Sequence, residues 1–418
     1  MDLSNAQQIV VVGGGQAAAQ TLASLRQWGF AGKLVLIGDE KALPYQRPPL
    51  SKAYLKGELA GERLYFKPQE WYEDQGVDVH LGFEATAIDR SARTVTASDG
   101  TAHAYDALML ATGSRPRALP IEGAGLGGVH DLRSLADVDR LRPEMSEGRK
   151  IAIIGAGYIG LETAAVARQL GLDVTVLEMA DRVLARVTSP MMSAFYEALH
   201  KSRGVRILTG ARARKIMDDG HGQVAGVELS DGSEIDADIV LAGIGIVPNV
   251  ELAADAGIAC DDGILVDRDA RTNDPRVFAA GDCARRPLVH SGGVGRLESV
   301  HNAIEQGKLA AAAILGRPRP PEDVPWFWSD QYDVKLQIAG LSDGHDQVVV
   351  RGDPEQQKFA AFYLQDGHVI AVDAVNAPPE FLASKKLIQM RARLVPSELS
   401  DMSMSMKEIA AKALEATR

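Results

Sequence analysis

Cysteine is nearly absent: Cys260 and Cys283 are the two in 418 residues. They are too few and too far apart for a disulfide framework or a Cys-x-x-Cys redox pair. No unbroken apolar run reaches the ~18 residues of a membrane helix, so no membrane span is expected. The first residues carry neither a basic segment nor an apolar leader core. No signal peptide is therefore expected, and the expected location is the cytoplasm. Positive charge is in deficit. With 45 Lys and Arg against 56 Asp and Glu, the formal net charge is −11, which argues against nucleic acid as a general partner.

What is present is ordinary in bulk, at 46% hydrophobic and 24% charged residues. The length gives room for two or three domains with substantial cores. The detail is repetitive. "QIVVVGGG", "QAAAQTLASLRQWG" and "KLVLIGDE" spell a strand, a glycine turn with a helix, and a second strand. "KIAIIGAG", "YIGLETAAVARQLG" and "DVTVLEMA" spell the same again from residue 150. Two copies argue for paired domains rather than a solenoid. Each copy is followed by strand-like runs joined by a Ser-Asp-Gly turn, "TVTASDGTAHAYDALMLATGSRP" and "VAGVELSDGSEIDADIVLAGIGIVPN". The Gly and Pro residues ending these passages are natural points for the chain to pass between domains. From "VPWFWSDQY" the pattern changes to short strands, "KLQIAG", "DQVVVRG", "KFAAFYLQ" and "VIAVDAVN". Helical patterns follow around 378–390 and 405–416, predicting a smaller α+β domain.

The first loop places Gly13, Gly15 and Ala18 at G-x-G-x-x-A spacing. The first glycine permits a tight turn, the second lets backbone approach a pyrophosphate, and the small third residue lets helix and strand pack closely. The helix N-terminus offers free N–H groups and a positive dipole end to phosphate. Asp39 or Glu40, ending the second strand, is placed for ribose hydroxyls. The second loop has Gly155, Gly157 and Gly160, with Glu178 ending its second strand. A carboxylate there accepts from a ribose diol and repels a 2′-phosphate, which favours NADH; Arg182 and Arg186 nearby leave NADPH open.

With these loops in view, "PYQRPPLSKAYL", "ATGSRPR", "VFAAGDCA", "RLESVHNAIEQ" and "PWFWSDQY" resemble the FAD-dependent pyridine-nucleotide reductases of the glutathione reductase fold. More narrowly, they resemble the NADH-dependent ferredoxin reductases of bacterial oxygenase systems, of the putidaredoxin reductase and rhodocoxin reductase type. The fold class implied is α/β: two Rossmann-like nucleotide-binding domains plus a C-terminal α+β domain. An FAD domain is expected at 1–113 and 247–324, an NADH domain at 114–246, and the α+β interface domain at 325–418. The resemblance puts Ala17, Asp39, Lys52, Ala85, Arg133 and Val300 at the FAD site. Asp282 of "AGDCA" would bind the ribityl chain or phosphate, and Arg47 would help neutralise the pyrophosphate. Tyr158, Ile159 and Gly245 are further cofactor-binding candidates. Lys52 and Glu162 are the catalytic candidates: the lysine would stabilise charge on reduced flavin, and the glutamate would hold it and contact the carboxamide. Trp326 and Trp328 alternate with Phe327 and so share a strand face; the resemblance puts Trp328 at the flavin's outer edge. His301 reads as a polar interface residue.

Disulfide reductases of this fold place a cysteine pair after the first nucleotide unit, and NADH oxidases and peroxidases a single one. The matching stretch here, "ALPYQRPPLSKAYL", has none, so Cys260 and Cys283 read as buried structural thiols. The resemblance then implies an enzyme that takes a hydride from NADH onto FAD and passes single electrons to a [2Fe-2S] ferredoxin. That ferredoxin would serve a cytochrome monooxygenase or ring-hydroxylating dioxygenase, with Lys308 and Lys407 as candidate docking contacts. No metal site is expected. A rubredoxin reductase, an NADH oxidase and a flavoprotein redox sensor stay open as alternatives.

Overall fold

The computed structural model describes residues 3, 6–290 and 292–416. Two five-stranded parallel sheets carry the repeat. The first runs in the order Val277–Ala279, Ala107–Leu110, Gln8–Val12, Lys33–Gly38, Val77–Leu81. The second runs Arg206–Leu208, Asp173–Leu177, Lys150–Ile154, Ile239–Ala242, Val129–His130. Their central strands are near-continuous apolar runs because both faces are covered: Val10, Val11, Leu34, Leu36, Ile153 and Val176 are all fully buried. Each sheet is accompanied by a three-stranded antiparallel meander, Ala85–Ala104 beside the first and Ala213–Asp236 beside the second.

The two units are joined by a narrow ribbon. Ser114–Pro116 and Ile246–Pro248 pair antiparallel, with Arg115 opposite Val247. The chain leaves the first unit on one strand and returns on the other, and Val277–Ala279 then completes the first sheet beside Ala107–Leu110.

The C-terminal part is a five-stranded antiparallel sheet in the order Trp326–Gln331, Val334–Gly340, His368–Val375, Lys358–Gln365, Gln347–Asp353. Helices Pro378–Gln389 and Met406–Ala416 stand where the helical patterns predict them. Arg351 pins the tail: its buried guanidinium donates to the carbonyls of Leu399, Asp401 and Met404 and pairs with Glu380 at 3.3 Å. One buried cluster runs through all three parts, joining Tyr45 and Leu50 to Ile151 and Tyr196 and to Leu336 and Phe359. A buried polar contact adds to this. Asp373 accepts from the hydroxyls of Thr188 and Tyr363, each at 2.6 Å. Burial pushes its carboxyl up to about 6, against the opposing pull of those two bonds.

Candidate active site

Both glycine turns form for the reason their spacing gives. Gly13 has φ +111°, and a Cβ there would lie 2.1 Å from the carbonyl oxygen of Ala111. Gly155 has φ +106°, and a Cβ would lie 2.3 Å from the Gly243 carbonyl. Only glycine tolerates both the left-handed backbone and the contact. Beyond each turn the backbone faces open space: a Cβ on Gly14, Gly15 or Gly157 would meet nothing within 4 Å. Helices Gln16–Gln27 and Tyr158–Gln169 start at these openings with no side-chain cap, leaving their first N–H groups available to an anion. Ala18 is fully buried against its sheet.

The first opening leads into a cavity of about 1000 Å³, at the upper end of the ~300–1,000 Å³ usual for ligand sites. Gly13, Gly15, Ala17, Asp39, Arg47, Lys52, Ala85, Arg133, Asp282 and Val300 all line it, joined by Ile159, Glu162 and Trp328. Asp282 accepts from Ser114 Oγ and Arg133 Nη2, each at 2.9 Å. Arg133 Nε is buried with no partner. Asp39 is exposed at the rim and makes no hydrogen bond or ion pair among the described residues, so it is the carboxylate open to a ribose. Glu40 is committed elsewhere, to Tyr45 at 2.5 Å and Arg47 at 2.6 Å. Arg47 thus reaches the cavity wall with its charge already paired. Open glycine backbone, an unpartnered guanidinium nitrogen and a free rim carboxylate suit a dinucleotide, and these residues fit FAD.

Lys52 and Glu162 meet where this cavity reaches the second unit. Lys52 Nζ lies 2.5 Å from Glu162 Oε2. The 3-10 turn Pro48–Ser51 sets the approach, since its prolines fix the backbone. Lys52 Nζ also donates to the Pro48 carbonyl at 3.2 Å. Ser51 Oγ donates to Glu162 Oε2 at 2.5 Å, and Ser329 Oγ donates to Oε1 at 2.6 Å. Glu162 is 2% exposed and Lys52 19%, so the carboxylate is the buried anchor and the ammonium is the group on view. Ser51 and Ser329 carry no signal in the sequence: each belongs to a different segment, and a serine in a strand or turn has no pattern of its own.

The second opening lies outside this cavity. Glu178 turns back onto its own loop, accepting from the backbone N–H of Ala156 at 2.7 Å and of Ala180 at 2.8 Å. Arg182 is spent on the carbonyls of Thr188 and Ala185 and on Ser193 Oγ. Arg186 is exposed and beside Gly245, 3.4 Å from where a Cβ would sit. Of the two arginines that leave NADPH open, Arg182 is therefore already engaged. Tyr158 packs on Phe327 at 4.7 Å between ring centroids, and its hydroxyl is buried without a partner. Its side chain faces the C-terminal sheet, and toward the loop it presents only backbone.

Trp326 and Trp328 lie on one strand face with ring centroids 5.4 Å apart; Trp328 lines the cavity and Trp326 packs on Phe381. His301 sits 3.3 Å from Asp323 and 5.6 Å from the Trp326 ring, an interface position. Neither cysteine lines the cavity. Cys283 is fully buried and Cys260 half-buried, and burial pushes both thiols up. Thiolate chemistry needs the opposite shift. Lys308 pairs with Glu305 at 2.9 Å, whereas Lys407 is exposed at the start of the last helix. Among the described residues, no helix is long and apolar enough to cross a membrane.

Two glycine loops on two parallel sheets, with a Lys–Glu pair where the two units meet, define an oxidoreductase built around two dinucleotides. The chain belongs to the pyridine nucleotide-disulphide oxidoreductase family, whose model matches residues 7–307; a reductase C-terminal model matches 326–410. It is 44% identical to a probable ferredoxin reductase of Castellaniella defragrans, over 94% of this chain and 97% of that one. It is 43% identical to putidaredoxin reductase of Pseudomonas putida, over 97% of each. The covalent putidaredoxin reductase–putidaredoxin complex superposes with a TM-score of 0.95 at 43% identity, covering 98% of this chain and 99% of that one.

Proposed function

We propose that this protein is an FAD-dependent NADH:ferredoxin reductase that supplies a bacterial oxygenase. The net reaction is NADH plus two oxidised ferredoxins giving NAD⁺, a proton and two reduced ferredoxins. The observation that carries the reading is the Lys52–Glu162 pair, 2.5 Å apart at the wall of a large cavity that no thiol lines. FAD, when bound, accepts the hydride of NADH and can release its electrons one at a time. Gly13, Gly15, Asp39, Arg133 and Asp282 would hold it. Glu162 fixes the Lys52 ammonium toward the cavity, and Ile159 and Phe327 line the wall beside it. The names of the similar proteins support ferredoxin as the acceptor; its [2Fe-2S] type follows from the resemblance read in the sequence.

At the docking face Lys407 is the stronger candidate, since Lys308 already has an acidic neighbour. The protein's net charge of −11 would repel an acidic ferredoxin, so a local patch must outweigh it within a Debye length of ~8 Å. Stopped-flow reduction by NADH, then mixing with a [2Fe-2S] ferredoxin, tests the reading. Rapid bleaching of the flavin followed by rapid ferredoxin reduction is expected. Fast oxygen consumption with no ferredoxin turnover would replace it with an NADH oxidase.

A further inference from the structure

Glu162 is the end of a buried polar line that the reaction described above does not use. Ser329 Oγ donates to Glu162 Oε1 at 2.6 Å. Gln331 Nε2 donates to Ser329 Oγ at 3.2 Å. His200 Nε2 faces Gln331 Oε1 at 2.8 Å, and the Tyr332 hydroxyl faces His200 Nδ1 at 3.2 Å. Glu162, Ser329, Gln331 and His200 are all within 2% of full burial.

The direction of every bond is fixed from one end. An ionised carboxylate only accepts, so Ser329 must spend its proton on Glu162 and its lone pair on Gln331. Gln331 then has only its oxygen to offer His200, which must donate from Nε2. Neutral imidazole leaves Nδ1 as acceptor for Tyr332. Burial lowers the His200 pKa to about 4, which keeps the ring neutral at working pH. The strand's period of two puts Phe327, Ser329 and Gln331 on the face packed against helix Tyr158–Gln169. Apolar side chains would pack those two elements at lower desolvation cost. The line is instead polar, buried and hydrogen-bonded throughout, and it ends on the carboxylate that holds Lys52.

We infer that Ser329, Gln331 and His200 are positioning residues for flavin reduction, through which the C-terminal sheet aims Glu162 and hence Lys52. The inference rests on the hydride-transfer reading of that pair. Lys52 faces Glu162 directly; Tyr158 and Tyr196 lie within its field. At the far end Arg203 sits 5.4 Å from the centre of the Tyr332 ring and pairs with Asp333 at 2.7 Å.

The test is single-turnover reduction of the FAD-loaded protein by NADH, with Ser329→Ala, Ser329→Thr and Gln331→Leu beside the parent. Losing a hydrogen bond to a charged acceptor should slow reduction in Ser329→Ala by about ten- to a hundredfold. The NADH dissociation constant should move less than about twofold, because the interaction serves the reacting geometry. Threonine keeps the hydroxyl and should recover most of the rate. A Ser329→Ala rate within about twofold of the parent overturns the inference, as does equal impairment of Ser329→Thr and Ser329→Ala. A readout independent of turnover is ¹⁵N NMR of histidine-labelled holoprotein. His200 should hold its proton on Nε2 between pH ~6 and 8; a proton on Nδ1 reverses the line and overturns it. If the parent itself is not reduced by NADH, the proposed function fails, an outcome distinct from either of these.

Discussion

The two glycine loops are near copies in backbone and opposites in what surrounds them. In the first, Asp39 is unengaged and the loop opens into the large cavity. In the second, Glu178 is tied to the N–H groups of Ala156 and Ala180, and the loop lies outside that cavity. A resident cofactor can be enclosed, because it is bound once. On the proposed function the second loop serves a cosubstrate that comes and goes, and the bonds of Glu178 to Ala156 and Ala180 hold that loop's shape from within.

Matched substitutions break the comparison most sharply. Gly13→Ala and Gly155→Ala introduce the same strain, with contacts of 2.1 and 2.3 Å to a carbonyl oxygen, worth about 3 kcal/mol each locally. Gly13→Ala should yield colourless protein. Gly155→Ala should stay yellow and be bleached by dithionite, while reduction by NADH falls more than ~100-fold. Visible absorbance with each reductant checks both. Where the two units meet, Lys52→Met or Glu162→Gln should cut the rate of reduction by NADH by about 100-fold with flavin content unchanged.

The second unit alone is tied to the C-terminal sheet through Asp373, and that tie has a pH signature. Asp373 in the folded protein titrates near 6, above the ~3.9 of an unfolded aspartate. Between pH ~4 and 6 the unfolded chain loses this proton first, so the folded state loses stability as pH rises, by up to about 3 kcal/mol. Asp373→Asn should lack that component, seen in urea melts as a flatter stability profile than the parent's across the window. The smallest effects sharpen the contrast at the strand ends. Glu178→Ala orphans two backbone N–H groups and should destabilise the protein by about 1–3 kcal/mol. Asp39→Ala should stay within ~0.5 kcal/mol in flavin-free protein and weaken only FAD binding, measured by flavin titration.

The loops, their strands and the change of pattern after residue 325 were legible because backbone requirements leave marks at fixed spacing: glycine where φ is positive, apolar runs where both faces are buried. The Lys52–Glu162 contact was reached only through the family resemblance, since 110 residues separate the two in the chain. Ser51, Ser329, Gln331 and His200 were not legible at all. Their roles depend on three segments converging, and neither serine nor glutamine has a periodicity that betrays a buried contact. Asp39 and Glu40 were equivalent by spacing and only the family resemblance favoured Asp39; in the structure Tyr45 and Arg47 fold over Glu40 and leave Asp39 open. Arg182 was ambiguous for a similar reason, because its partners are main-chain carbonyls.

The ribbon formed by Ser114–Pro116 and Ile246–Pro248 sets both crossings of the chain side by side. Everything from Arg117 to Gly245 can therefore be replaced by cutting at one spot, and the donor segment needs only two adjacent ends. Such a graft inherits the first sheet intact. It must still supply an acid at 162 for Lys52, a guanidinium at 133 for Asp282, a hydroxyl at 188 for Asp373 and an imidazole at 200 for Gln331, handshakes by which this body would recognise a foreign insert.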